Sequence, residues 1–318
     1  MRRAWAIAFI ALSLAGCSQY ATSNPVPANR VLLVANSVGN SIIVFHIIGG
    51  TATPVQTISG ADTGLNFPTG VGFSSGLIFV ANNHADTVTV YNANANGDAT
   101  PVTTISGLNT GLDHPTDVDV DGQGRVYVGN SGSTIGNSVR IFAPNATGNA
   151  APVASIFGAS TALAHPVAIA HDAAGNIYVV NTGNNSVTIY HSSDVFSSVS
   201  GDVAPFATLA GAATGLINPS GIVLDGAGNV YVTNDAPDSI TAYAPNPTGN
   251  QAPTATVTGA ATMLSSPGDI EISAGQLFVA NAAANDLLVF PTNATGNQAP
   301  LFVVSGSGLN FPNGLGTE

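Results

Sequence analysis

The stretch PSGIVLDGAGNVYVTN, from Pro219 to Asn234, decides the fold. Two short runs rich in β-branched and aromatic residues flank Asp225-Gly-Ala-Gly228. Asp and Gly tolerate the unusual backbone angles of a tight hairpin turn. The runs alternate at period two, which fits half-buried strands and excludes a helix. The same phrase ending recurs as VLLVAN (Asn36), LIFVAN (Asn82), RVYVGN (Asn130), NIYVVN (Asn181), NVYVTN (Asn234) and QLFVAN (Asn281), at spacings of 46, 48, 51, 53 and 47.

Other landmarks keep the same register. An aromatic follows nine residues after the Asn, at Phe45, Tyr91, Tyr190, Tyr243 and Phe290; Phe142 follows after twelve, which places a three-residue insertion in that loop. A glycine closes each unit (Gly60, Gly107, Gly158, Gly211, Gly259, Gly306) and a proline opens the next (Pro68, Pro115, Pro166, Pro219, Pro267, Pro312). Each unit reads as four short strands, and units of this length repeated around a ring make a β-propeller. The pattern Pro-x-Gly-Ile-x-x-Asp-x-x-Gly-x-x-Tyr-Val-x-Asn, at Pro219 to Asn234, resembles the NHL repeat. The likeness covers residues 30–318 and implies a propeller, while saying little of activity, because such propellers serve as enzymes, sensors and scaffolds. The expected fold is all-β: a six-bladed β-propeller of four-stranded antiparallel blades. Residues 30–318 begin on a second-type strand and end on a first-type one, so the C-terminal strand should close the first blade and remove an exposed edge. First strands start on the face carrying the proline and Asn loops, here called the top. Both ends of the domain then lie at the bottom.

Composition excludes several classes. The chain has 318 residues, 5 Lys plus Arg against 17 Asp plus Glu, and only 7% charged residues. Such a chain cannot make the basic footprint that nucleic acid requires. At 45% hydrophobic it is not composed like a disordered chain. Scarce Lys, Glu, Gln and Arg beside abundant Gly, Asn, Thr and Val disfavour long helices. The domain reads as a monomer.

The first residues read as an address. Met1-Arg2-Arg3 heads an apolar run from Ala4 to Ala15 that ends Leu14-Ala15-Gly16-Cys17. The run is too short to cross a membrane and has the layout of a signal peptide. Leu14 to Cys17 resembles the lipobox of bacterial lipoproteins. That resemblance implies cleavage of residues 1–16 and lipidation of Cys17, the single cysteine, so no internal disulfide is available. Residues 17–29 form a polar tether. The mature chain would keep three arginines against seventeen acids, a formal −14, so the acyl chains rather than the protein surface would hold the membrane. Ser18 resembles an outer-membrane sorting signal for a Gram-negative envelope.

Candidate sites are ranked by departure from the repeat. The ring Asn36, Asn82, Asn130, Asn181, Asn234 and Asn281, with Asn40, Asp86, Asn185, Asp238 and Asn285 four residues on, is either a polar crown for a glycan or peptide or a set of turn caps. Repetition in every blade favours caps. Along the innermost strands, four blades place small or apolar residues toward the channel, whereas Asp117/Asp119 and Asp269/Glu271 place acids there, in opposite blades. Crowded carboxylates need a cation, protons or water, and Ca²⁺ suits oxygen donors. His114 and His165, just before blade-opening prolines, with His84 and Asp113, are candidates for acid–base chemistry on the top face. His46, His171 and His191 read as packing or rim residues. No Gly-x-Ser-x-Gly, HExxH or phosphate loop is present. The long loop between Tyr190 and Gly211 is a candidate contact surface at the bottom.

Two functions follow. The first is a lipid-anchored envelope protein whose propeller binds a protein, peptide or glycan at its top face without catalysis. The second resembles the gluconolactonase-like lactonases. It implies a top-face calcium held by Asp117 and Asp269, with His114 or His165 nearby, polarising a lactone carbonyl. A streptogramin-lyase-like enzyme is a variant of it.

Overall fold

The computed structural model describes residues 30–48, 51–133 and 136–317. They form six four-stranded antiparallel sheets, numbered here as blades 1 to 6. The innermost strands are Pro312–Thr317, Pro68–Ser74, Pro115–Val120, Pro166–His171, Pro219–Leu224 and Pro267–Ser273. Each packs against the innermost strands of both neighbours, so the ring is closed. Blade 1 takes its inner strand from the C-terminus: Pro312–Thr317 pairs with Arg30–Asn36, from Leu32 opposite Thr317 to Asn36 opposite Pro312. The expected closure is therefore present. The expected signal segment 1–16, the expected lipidation site Cys17 and the expected tether to residue 29 lie outside the described residues.

The repeated landmarks have distinct structural duties. In the Asp-x-x-Gly turns, Gly124 N–H donates to the Asp121 carbonyl at 2.9 Å, while the Asp121 carboxylate accepts from the N–H groups of Gln123 and Arg125. The third-strand aromatics Phe45, Tyr91, Phe142, Tyr190, Tyr243 and Phe290 are fully buried. A buried phenol needs a partner. Tyr91, Tyr190 and Tyr243 donate to the carbonyls of Thr63, Thr161 and Thr214, in the loops that open their own blades. Outermost strands are covered in turn. Gly97, Gly148, Gly249 and Gly296, from the third-to-fourth-strand loops, bridge to the outer strand of the preceding blade, which protects those edges.

Small residues on the inner strands set how closely the blades converge. A Cβ added at Gly314 would lie 2.4 Å from the Thr69 carbonyl oxygen and 2.8 Å from the Gly70 Cα. Gly314→Ala must push blades 1 and 2 apart. It should cost about 2–4 kcal/mol, within the range seen for overpacking and strain. At Gly226, in an open turn with nothing within 4 Å, alanine should leave the thermal midpoint within about 1 °C. Equal midpoints for the two variants would refute the close-approach argument.

The long loop of blade 4 differs from expectation. It contains a short helix, Ser192–Ser197, whose Val195 is fully buried. Arg125 stacks its guanidinium 4.4 Å from the centre of the Phe196 ring. The helix thus packs against blade 3, while Val199 just beyond it stands exposed.

Candidate functional site

The six repeated asparagines are fully buried. In each, Oδ1 accepts a backbone N–H from the loop that opens the same blade. The pairs are Asn310–Asn36 at 3.2 Å, Asn66–Asn82 at 3.2 Å, Asp113–Asn130 at 3.0 Å, Ala164–Asn181 at 3.0 Å, Ile217–Asn234 at 3.2 Å and Ser265–Asn281 at 2.6 Å. The side-chain NH₂ groups donate inside the blade, as from Asn181 to the Val179 carbonyl and Thr188 Oγ1. The crown reading is thereby corrected. Buried and internally bonded, these asparagines offer a partner no surface. They are also more than turn caps, because each ties a second strand to the loop that opens its blade, sixteen or seventeen residues earlier in blades 2 to 6 and at the far end of the chain, at Asn310, for Asn36.

The residues four positions on act between blades. Asn40, Asp86, Asn185, Asp238 and Asn285 accept the N–H of Phe67, His114, Asn218, Ser266 and Phe311 at 2.6–2.9 Å. Each of those donors precedes the next blade's proline and holds a left-handed backbone, with φ between 48° and 56°. A non-glycine residue there costs on the order of 1 kcal/mol or more, which the clip offsets. Hydroxyls add a second tie: Ser37, Thr69, Thr116, Thr182 and Ser220 donate to the carbonyl of the following blade's proline.

The four channel acids lie on the inner strands of opposite blades. Asp117 accepts from its neighbour Val118 N–H and, across the blade boundary, from Ile169 N–H, both at 2.8 Å. Asp269 repeats this with Ile270 at 2.8 Å and with Leu315 at 2.9 Å. The carboxylates therefore satisfy backbone donors of blades 4 and 1 that face the channel. They also divide it. An upper cavity of about 160 Å³ is lined by Thr69, Thr116, Ser220 and Asn313. A lower one of about 220 Å³ is lined by Asp119, Glu271 and Thr317. Asp117 and Asp269 border both, and neither lining includes Arg or Lys.

Charge is costly in such a place. Burial raises Asp117 to about 7, with the Asp119 charge adding to it. Burial, then the charges of Asp117 and Glu271, lifts Asp269 well above the usual carboxylate range. Burial and Asp119 push Glu271 up to about 8. The lower end carries a group that the sequence reading treated as packing. His171 Nδ1 sits 2.5 Å from Asp119 Oδ2, and that hydrogen bond raises the imidazole pKa. His171 shares a register with Asp119 one blade on, a signal visible only once the blades are wrapped into a ring. The four carboxylates offer oxygen donors of the kind Ca²⁺ takes, but among the described residues they do not bring three ligand atoms within 4.8 Å of one another; Asp86, Asp113 and His114 do.

His114 and His165 do not join these acids. Both are exposed on the top loops of blades 3 and 4. His114 Nδ1 lies 3.0 Å from Asp113 Oδ1. His84 stacks on Phe67 at 4.3 Å. A groove of about 300 Å³ runs over blades 5, 6 and 1. Asn218, Ser220, Asp235, Ser266, Phe311 and Asn313 line it, and Ser220 and Asn313 also line the upper cavity, so groove and channel mouth are continuous.

Residues 206–233 match the family SBBP, described as a beta-propeller repeat. The chain is a β-propeller repeat protein. No curated protein matches it by sequence. Solved structures share the propeller fold across nearly their whole length. A protein of unknown function from Bacteroides caccae superposes with a TM-score of 0.66 at 12% identity, covering 91% of this chain and 99% of that one. A chain of the nidogen/laminin complex gives 0.65 at 13%, covering 91% and 98%. The periplasmic gluconolactonase PpgL of Pseudomonas aeruginosa gives 0.62 at 16%, covering 91% and 99%. At these identities the likeness is one of fold.

Proposed function

We propose that this propeller is a non-enzymatic binding module of the bacterial envelope. In this reading acylated Cys17 anchors it to the outer membrane, and its top-face groove takes a neutral, hydroxyl-rich ligand such as a glycan end. The observation that carries the reading is the groove over blades 5, 6 and 1, which breaks the ring's symmetry and opens into the upper cavity. Its walls suit that ligand class. Phe311 offers a partly exposed ring, Asn218 and Asn313 offer amides, and Ser220, Ser266 and Asp235 offer oxygens. Sites of this kind orient a ligand through a few polar groups set in an otherwise apolar wall. The surplus of acids repels anions.

Saturation-transfer NMR with neutral mono- and disaccharides, short peptides and sugar acids tests this. Neutral saccharides should give transfer that Phe311→Ala and Asn313→Ala weaken roughly tenfold, the loss of one good contact. Binding that survives both substitutions, or a preference for peptides or sugar acids, would overturn the reading.

A second reading is favoured by the buried channel acids and the shared fold of a gluconolactonase. In it Asp117 and Asp269 hold Ca²⁺, which would polarise a substrate carbonyl when bound. His114 and His165 have no part in it, because they sit on the rim. Groups of this chain in reach of that chemistry are Asp119 and His171, as a proton-holding pair at the lower end.

A further inference from the structure

Asp86, Asp113 and His114 meet on the top face where blade 2 meets blade 3. Each can offer one ligand atom, and the three atoms lie within 4.8 Å of one another. His114 Nδ1 is 3.0 Å from Asp113 Oδ1 and 4.0 Å from Asp86 Oδ1. We propose that this junction is a binding site for a divalent transition metal of the zinc class, ligated by Asp86, Asp113 and His114.

The ring supplies its own controls. The same three positions recur at other junctions: Asn40, Asn66 and Phe67; Asn185, Ile217 and Asn218; Asp238, Ser265 and Ser266; Asn285, Asn310 and Phe311. All these junctions share the left-handed residue before the proline and the clip to its N–H. Asn40 makes that clip at 2.6 Å and Asp86 makes it at 2.7 Å. The fold therefore demands neither the Asp86 charge, nor an imidazole at 114, nor a carboxylate at 113. Blade 2–3 alone, among these five, places metal-ligating side chains at all three positions.

A second observation concerns Gly132. A Cβ there would fall 2.0 Å from the Asp113 carboxyl carbon. Glycine at 132 is what leaves room for this buried carboxylate beneath the imidazole. One face of the cluster is open, since the His114 and Asp86 side chains are 54% and 51% exposed. One nitrogen and two carboxylate donors with an open position suit Zn²⁺, Co²⁺ or Mn²⁺ rather than Ca²⁺.

The test is a titration of the propeller, residues 18–318, with Zn²⁺ by calorimetry and with Co²⁺ by visible absorption. The ring closes within residues 30–317, so this chain holds the whole domain. Two substitutions remove ligands while keeping structures that the ring already uses. His114→Phe copies Phe67 and Phe311, and Asp86→Asn copies Asn40. Wild type should bind one ion per chain, with a cobalt spectrum that includes a nitrogen ligand. Each variant should bind roughly tenfold or more weakly, with unchanged melting in EDTA. Gly132→Ala should weaken binding too. His165→Ala should bind as wild type. Absence of saturable binding at one ion per chain, or undiminished binding by His114→Phe, would overturn the site.

Discussion

Asn181→Ala should lower the stability of the propeller by about 3 kcal/mol and its thermal midpoint by roughly 5–10 °C. The asparagine is fully buried and makes three hydrogen bonds at 3.0–3.1 Å, to Ala164 N–H, the Val179 carbonyl and Thr188 Oγ1. Alanine leaves all three partners without it. The cost of a stranded buried polar group, about 1–3 kcal/mol each at most, exceeds the worth of the bonds themselves. Asn181→Asp sharpens the argument. It keeps the shape and the acceptor for Ala164, but turns an oxygen toward the Val179 carbonyl, where the NH₂ had donated. It should be at least as destabilising as alanine. Asn94, exposed on a loop, serves as the control: Asn94→Ala should stay within about 0.5 kcal/mol. A wild-type midpoint for both Asn181 variants would restore the view of these asparagines as surface groups free for a partner.

That example shows what the sequence could carry and what it could not. Blade number, strand order and the wrap of Pro312–Thr317 onto Arg30–Asn36 were legible, because they depend on hydrophobic period and fixed offsets along the chain. The duty of Asn181 was not, because its partner at Ala164 lies across a loop that carries no periodic signal. The inter-blade clips were hidden for the same reason. Asp86 reaches His114, 28 residues away, and nothing local to Asp86 marks that contact. The channel acids were found as departures from the repeat, since opposite blades follow from counting. Their link to His171 was missed: pairing Asp119 with a residue 52 positions on requires knowing that neighbouring inner strands lie in register. The helix Ser192–Ser197 escaped because six residues are too few to show a helical period.

The stability of the fold should fall as pH rises from about 5 to about 8, by on the order of 3 kcal/mol. Asp117, at about 7, and Glu271, at about 8, have folded-state pKa values above those of an unfolded chain, and Asp269 shifts the same way. Between the unfolded and folded values the native state binds more protons, so these groups stabilise fully below about pH 4 and lose that contribution as pH climbs through 7 and 8. His171, raised by its bond to Asp119, adds in the same direction. Asp121 and Asp225 oppose this at the acid end. Burial works against their charge, but hydrogen bonds from Arg125 and Asn229 hold both below the usual value, so their stabilisation disappears as pH falls below about 4. The optimum should therefore lie near pH 4–5, with Asp117→Asn flattening the alkaline limb. Calcium then separates the two functional readings. A cation and protons compete for the same carboxylates, so Ca²⁺ held by Asp117 and Asp269 should raise the midpoint by several degrees at pH 8, little at pH 5, and not at all in the Asp117→Asn, Asp269→Asn double variant. That result would make lactone hydrolysis the next assay. A midpoint that falls with pH but ignores Ca²⁺ would mean that protons alone neutralise the channel, and the hydrolase reading would lose its metal. A flat profile from pH 5 to 8 would contradict the burial argument for the acids themselves.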